Sequence, residues 1–94
     1  MSPADAQVLA LQGPLTIASV GEWRERGREL ARKGDLTIDL SAVTEADSAA
    51  LAVLIDWLRT ARGAGHTLTQ RGMPGGLCSL AALYGVDELI PAQA

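Results

Sequence analysis

Asp47 and Ser48 stand where the alternating segment "LTIDLSAVTEA" gives way to the apolar run "LAVLIDWL". A carboxylate and a hydroxyl at a helix start can cap an orphan backbone N–H, a bond whose loss costs roughly 1 kcal/mol. The same place suits an added phosphate, which the helix dipole and free amides stabilise, so Ser48 can also serve as a charge switch. Nucleophilic catalysis by Ser48 would need a nearby base. The one His, His66, opens a short strand far away in sequence, so no triad is proposed. Cys78 is alone and cannot form an internal disulfide; on the apolar side of a helix it reads as a small core residue. One Cys and one His make no soft ligand set for a metal. The glycine-rich "GMPGG" lacks the Gly-Lys-Ser/Thr of a phosphate-binding loop, so nucleotide chemistry belongs elsewhere. The expectation is a protein that is not an enzyme and needs no cofactor.

The helix that Ser48 opens carries a second clue. At about 100° per residue, Leu51, Leu54, Ile55 and Leu58 form one apolar stripe, the expected core face. Ala49, Val53 and Trp57, spaced by four, form another roughly opposite. A helix apolar on two faces is either sandwiched inside its own domain or covered by something else. Trp is a favoured interface anchor, so Ala49, Val53 and Trp57, with Ser48 and Asp47 at their upper end, are expected to make a docking surface for another protein. The alternatives are a homodimer surface, or Trp57 lying against the first helix or the tail within this domain.

The remaining elements must hold this junction in place. "QVLALQGPL" shows apolar alternation broken by Gly13-Pro14, which predicts a short strand, a turn and a second strand through Ile17. Ser19 and Glu22 match a capping box, and the helix they start places Val20, Trp23, Gly27, Leu30 and Ala31 on one face, with Trp23 as a core anchor and Gly34 as the stop. "DLTIDL" is a strand with Leu36, Ile38 and Leu40 buried and Asp39 solvated. Ser41 to Ala46 is a loop, and the long helix runs from Ser48 to about Ala64. "HTLTQR" is a short strand with Leu68 inward, and a third helix covers about Leu77 to Tyr84, with Leu77, Leu80, Ala81 and Leu83 apolar. Val86, Leu89 and Ile90 form a last apolar clip. This order lays helices against a mostly parallel sheet and sets the loops 41–47 and 72–76 side by side at the carboxyl ends of their strands.

Ninety-four residues make one small domain, 1–94, burying roughly 60 to 65% of its extended surface. Hydrophobic residues are 48% of the chain but Phe is absent, so Leu, Ile, Val and Ala fill the core. Net charge is −3, and the basic residues Arg24, Arg26, Arg28, Arg32 and Lys33 read as a solvated helix face, not an anionic-surface site, which excludes nucleic acid as a partner. The N-terminal "MSPADAQV" has an acid where a signal peptide carries a base, and "AALAVLI" is far short of the ~20 apolar residues of a membrane span. A cytoplasmic protein with no direct membrane insertion is expected.

"DLSAVTEADSAAL" resembles the signature of the STAS domain, the family of anti-sigma-factor antagonists and related transporter modules. The matching pattern is Asp39-Leu40-Ser41, a lone apolar Val43, then Asp47-Ser48 and Leu51. Nearly the whole chain follows in order, and the ending "LAALYGVDELIP" is similar to the MlaB group, cytosolic STAS subunits of phospholipid ABC transporters of the Mla type. The resemblance implies an α/β fold, STAS-like, with a mixed, mostly parallel four- to five-stranded sheet and helices packed against it. It implies that Ser48, framed by Asp47, contacts the ABC transporter ATPase subunit, with membrane association only through that complex and a role in outer-membrane lipid asymmetry. The family usually has one or two glycines after the Asp-Ser or Asp-Thr pair, whereas this chain has Ala49-Ala50, better helix formers by up to ~1 kcal/mol each. The alternative within the family is an anti-sigma-factor antagonist switched by phosphorylation of Ser48. A phosphopantetheine carrier also places a serine at a helix start, but carriers are all-helical and the strand "LTIDL" precedes this one.

Overall fold

Leu9, Leu11 and Leu15 alternate with exposed Val8, Ala10 and Gln12 along β1 (Gln7–Leu15), turning one face of the strand inward. The computed structural model describes residues 7–86 and 89–91. Residues 1–6, which hold most of the acidic N-terminal stretch, and Asp87 and Glu88 of the tail lie outside the described residues. The expected hairpin does not form: β1 runs straight through Gly13-Pro14. Gly13 takes φ 78, which a glycine adopts without strain, and the pairing with the next strand shifts register between Ala10 and Gln12 and again between Gly13 and Pro14. The turn signal thus marks a bulge.

After β1 come α1 (Val20–Lys33), β2 (Leu36–Ala46), α2 (Ser48–Gly63), β3 (Leu68–Arg71) and α3 (Gly75–Leu83). Among the described residues the sheet has three strands in the order β1-β2-β3, all parallel, not the four to five of a mixed sheet. β2 extends to Ala46, so the expected loop 41–46 is strand, paired with β1 as far as Leu15↔Ala46. Leu36, Ile38, Leu40 and Val43 of β2 point into the core with Leu68 of β3, under α1 and α2. Asp39, on the other face, is paired and not simply solvated: it accepts from the N–H and hydroxyl of Ser41 at 3.0 and 2.6 Å and faces Arg71 at 3.3 Å.

Two helix ends follow the expected chemistry and one start does not. At the end of α2, Gly65 has φ 79 and His66 N–H reaches back to the Ala61 carbonyl at 2.8 Å. Gly85, φ 71, ends α3 in the same way, with Val86 N–H on the Ala81 carbonyl. At α1, however, the Ser19 hydroxyl makes no capping bond. It donates to the Pro14 carbonyl at 2.8 Å and accepts from Thr16 N–H at 2.9 Å, so it ties the preceding loop.

Trp23 is half-buried at the core margin, with Arg26 stacked 5.9 Å from its ring centre, and is not a deep anchor. α3 buries Leu77 and Ala81 but leaves Cys78 exposed, correcting its expected place in the core, and Leu83 78% exposed. In the tail, Ile90 is buried, Val86 packs against the core and Leu89 remains 40% exposed. Gly72, just after β3, carries a close approach to the middle of β2: with φ 69, it sits where a Cβ would lie 2.7 Å from the Ser41 Cβ. Of the expected neighbours 41–47 and 72–76, Ser41 and Gly72 therefore meet, though Ser41 lies within β2 and not in a loop.

Candidate functional site

Asp47 caps α2. Its backbone is extended, and its Oδ1 accepts from Ala49 N–H at 2.8 Å. Its Oδ2 reaches 30 residues back to accept from Ile17 N–H at 3.1 Å. One carboxylate thus caps α2 and fixes the loop between β1 and α1. Ser48, the first helical residue, is exposed, and its hydroxyl has no partner among the described residues. Asp47 does all the capping, which leaves the serine unoccupied.

The pinned loop presents Ile17 with 79% of its surface in water. A β-branched apolar side chain held out by a backbone hydrogen bond is an unusual use of a hydrophobe. Beside it, Ile17, Arg24, Asp47, Ser48, Ala49 and Ala52 line an open hollow of about 420 Å³ between the starts of α1 and α2. The hollow therefore gathers Asp47, Ser48 and Ala49 of the expected surface.

Val53 and Trp57 lie elsewhere, and the structure corrects their placement on a docking surface. They are 1% and 0% exposed. The cover is α1: Gly27 lies flat against the indole, so close that any Cβ at that position would collide with the ring. The indole Nε1–H donates to the Arg24 carbonyl at 2.8 Å, so the polar edge of the ring is also satisfied. The second apolar stripe of α2 is core. The α1–α2 contact is fastened at its rim by Arg28, whose Nε and Nη2 reach the two Asp56 oxygens at 2.8 and 3.1 Å while Nη1 meets Glu25 at 2.9 Å. These hydrogen bonds, that to Asp56 first, hold the Arg28 guanidinium even more firmly charged than usual.

Ile17, Arg24 and Ala52 are the members of the hollow that sequence reading does not single out. Ile17 reads as the end of a strand and Arg24 as one charge on a solvated face. The available signal is a lone large apolar residue in the "TIAS" connection.

His66 sits past the far end of α2, a 16-residue helix about 24 Å long, so it cannot serve Ser48 as a base. Its Nδ1–H donates to the Ala31 carbonyl at 2.9 Å. A smaller hollow there, about 210 Å³, includes Arg62, His66 and Pro91. Among the described residues no three His, Cys, Asp or Glu side chains gather to hold a metal ion, and no helix is long and apolar enough to cross a membrane.

A family model described as "Mlab, STAS domain" matches residues 2–91. No curated protein matches the sequence. Among solved structures, the STAS domain of a SulP transporter from Vibrio cholerae superposes with a TM-score of 0.68 at 16% identity, over 96% of this chain and 71% of that one. At that identity the likeness is one of fold.

Proposed function

We propose a function from one premise: this chain belongs to the STAS domain family, in its MlaB-like group. It works as an interaction module without chemistry of its own, docking through the hollow at the start of α2 on the ATPase subunit of a phospholipid ABC transporter of the Mla type. The protein is then cytoplasmic and reaches the inner membrane only through that complex, where it helps maintain outer-membrane lipid asymmetry. The observation that carries the reading is the pairing of an unengaged Ser48 hydroxyl with Ile17, 79% exposed, on opposite sides of one capped junction. A partner seated there acts by differential contact: it is bound more tightly in its assembled, active conformation, and the domain shifts the equilibrium by that difference.

A second reading keeps the same surface and changes the partner. Ser48 is accessible and lies on the first turn of α2, where a phosphate would be favoured by the helix dipole and would repel an acidic partner. That is the arrangement an anti-sigma-factor antagonist would use.

Purification of the tagged chain from its own cells, with mass spectrometry of partners and of the Ser48 peptide, separates the two. Recovery of an ABC ATPase with unmodified Ser48 is the expected result. A serine kinase or sigma-regulating protein, with phosphate on Ser48, would overturn it.

A further inference from the structure

We propose that the hollow takes an acidic and apolar segment of the partner protein, with a carboxylate on Arg24 and an adjacent apolar side chain seated against Ile17 and Ala52. The inference rests on the reading that this hollow is the partner surface, and it names the chemistry that fits.

Charge is the first argument. Arg28 is spent on Asp56 and Glu25, Arg71 faces Asp39, and Arg26 lies over Trp23. Arg24 lines the hollow with no ion pair among the described residues. The one acid in the hollow, Asp47, has both oxygens on backbone N–H groups, Ala49 and Ile17, and makes no ion pair with Arg24 among the described residues. The hollow therefore offers an uncommitted cation, a free hydroxyl and the positive end of a helix, on a chain whose net charge is −3.

Position is the second argument. The Arg24 main chain is fixed, because its carbonyl receives the buried Trp57 indole N–H at 2.8 Å. Ile17 is fixed by Asp47. A cation and a hydrophobe, both anchored through their backbones on either side of a small alanine floor, are set for a ligand that carries both features. A phosphate group would use Arg24 and the helix start but would leave Ile17 in water. An aliphatic or aromatic residue next to Asp or Glu uses everything present.

The test is a titration of the purified transporter ATPase with the parent chain and with Arg24→Gln, Arg24→Glu and Ser48→Trp, at low and high salt. Arg24 is exposed on α1, so neither Arg24 variant disturbs the core, and thermal melts verify this. Ser48→Trp, which fills the hollow, is expected to abolish binding. Arg24→Gln should weaken it about tenfold and Arg24→Glu further, with the gap from the parent narrowing in high salt. Inorganic phosphate should not displace the ATPase.

If both Arg24 variants bind within about twofold of the parent while Ser48→Trp blocks, the partner uses the hollow without an acid and the inference falls alone. If all variants bind like the parent, the surface itself is wrong and the inference falls with it. Displacement by phosphate at millimolar concentration would replace the carboxylate with a phosphate ligand.

Discussion

The first turn of α2 and its middle turns carry apolar residues in equal measure but handle them in opposite ways. Val53 and Trp57 are sealed by α1, with Gly27 giving the indole the room it needs. Ala49, one turn before Val53, and Ala52, next to Val53 in sequence, instead border an open hollow beside Ser48. The difference lies in what covers each region: α1 lies on the middle of α2 through Gly27, whereas at the start of α2 the hollow beside the Ile17 loop, tied there by Asp47, stays open. Stability and recognition are thus divided along one helix, and substitutions in the two regions should separate cleanly.

The largest effect belongs to the middle. Trp57→Ala should lower stability by about 3–5 kcal/mol, through lost burial and a residual cavity, read as a drop in the unfolding midpoint. Whatever fraction remains folded should still bind its partner, because Trp57 does not reach the surface, though more weakly than the parent, since the Arg24 carbonyl loses the indole N–H that fixes it. Complete loss of binding in fully folded Trp57→Ala protein would break the division.

Next in size is Asp47→Ala, which removes the α2 cap and the tie to Ile17 together. A cost of about 1–2 kcal/mol is expected by thermal melting, with weaker binding as well, since Ile17 would no longer be held. Ser48→Glu sharpens the comparison because its two effects oppose: a negative charge on the first turn should leave stability unchanged or raise it by about 0.3–1 kcal/mol. The same charge beside Arg24 should weaken an acidic partner. Parallel melting and titration check the opposite signs.

The smallest effect lies on the sheet face away from both regions. The hydroxyl and N–H of Ser41, and then Arg71, hold the Asp39 carboxyl below its ordinary value. A depressed folded value means that its contribution is complete above about pH 4, the unfolded range, and is lost as pH falls through the lower folded value. Asp39→Asn should therefore lower the melting temperature slightly at neutral pH, with the difference vanishing in strong acid. Asp35, lowered by the Thr67 N–H, should behave with the same sign.

Much of this layout was legible in the residues. Alternation placed β3 and the first half of β2, whose continuation to Ala46 reads as a loop; the Asp-Ser junction placed the start of α2, and the glycines after α2 and α3 placed their ends. What failed had long-range causes. Gly13-Pro14 resembles a turn, yet it is a bulge because β1 stays paired with β2 beyond it. Ser19 and Glu22 spell a capping box, but the hydroxyl is claimed by the Pro14 carbonyl. The stripe Ala49-Val53-Trp57 was visible, while its cover was not. That depends on Gly27, whose missing side chain matters only once α1 lies on α2. Ile17 was hidden because its exposure follows from a hydrogen bond to a residue 30 positions away.

The division of α2 is tested most directly by hydrogen exchange of the chain alone and bound to the ATPase. Binding should add protection to the amides of residues 16–24 and 47–52, and leave those of residues 53–58, already shielded in the free protein, unchanged. Protection that appeared instead along α3 and the tail, around exposed Leu83, Tyr84 and Leu89, with residues 16–24 and 47–52 unaltered, would contradict the account.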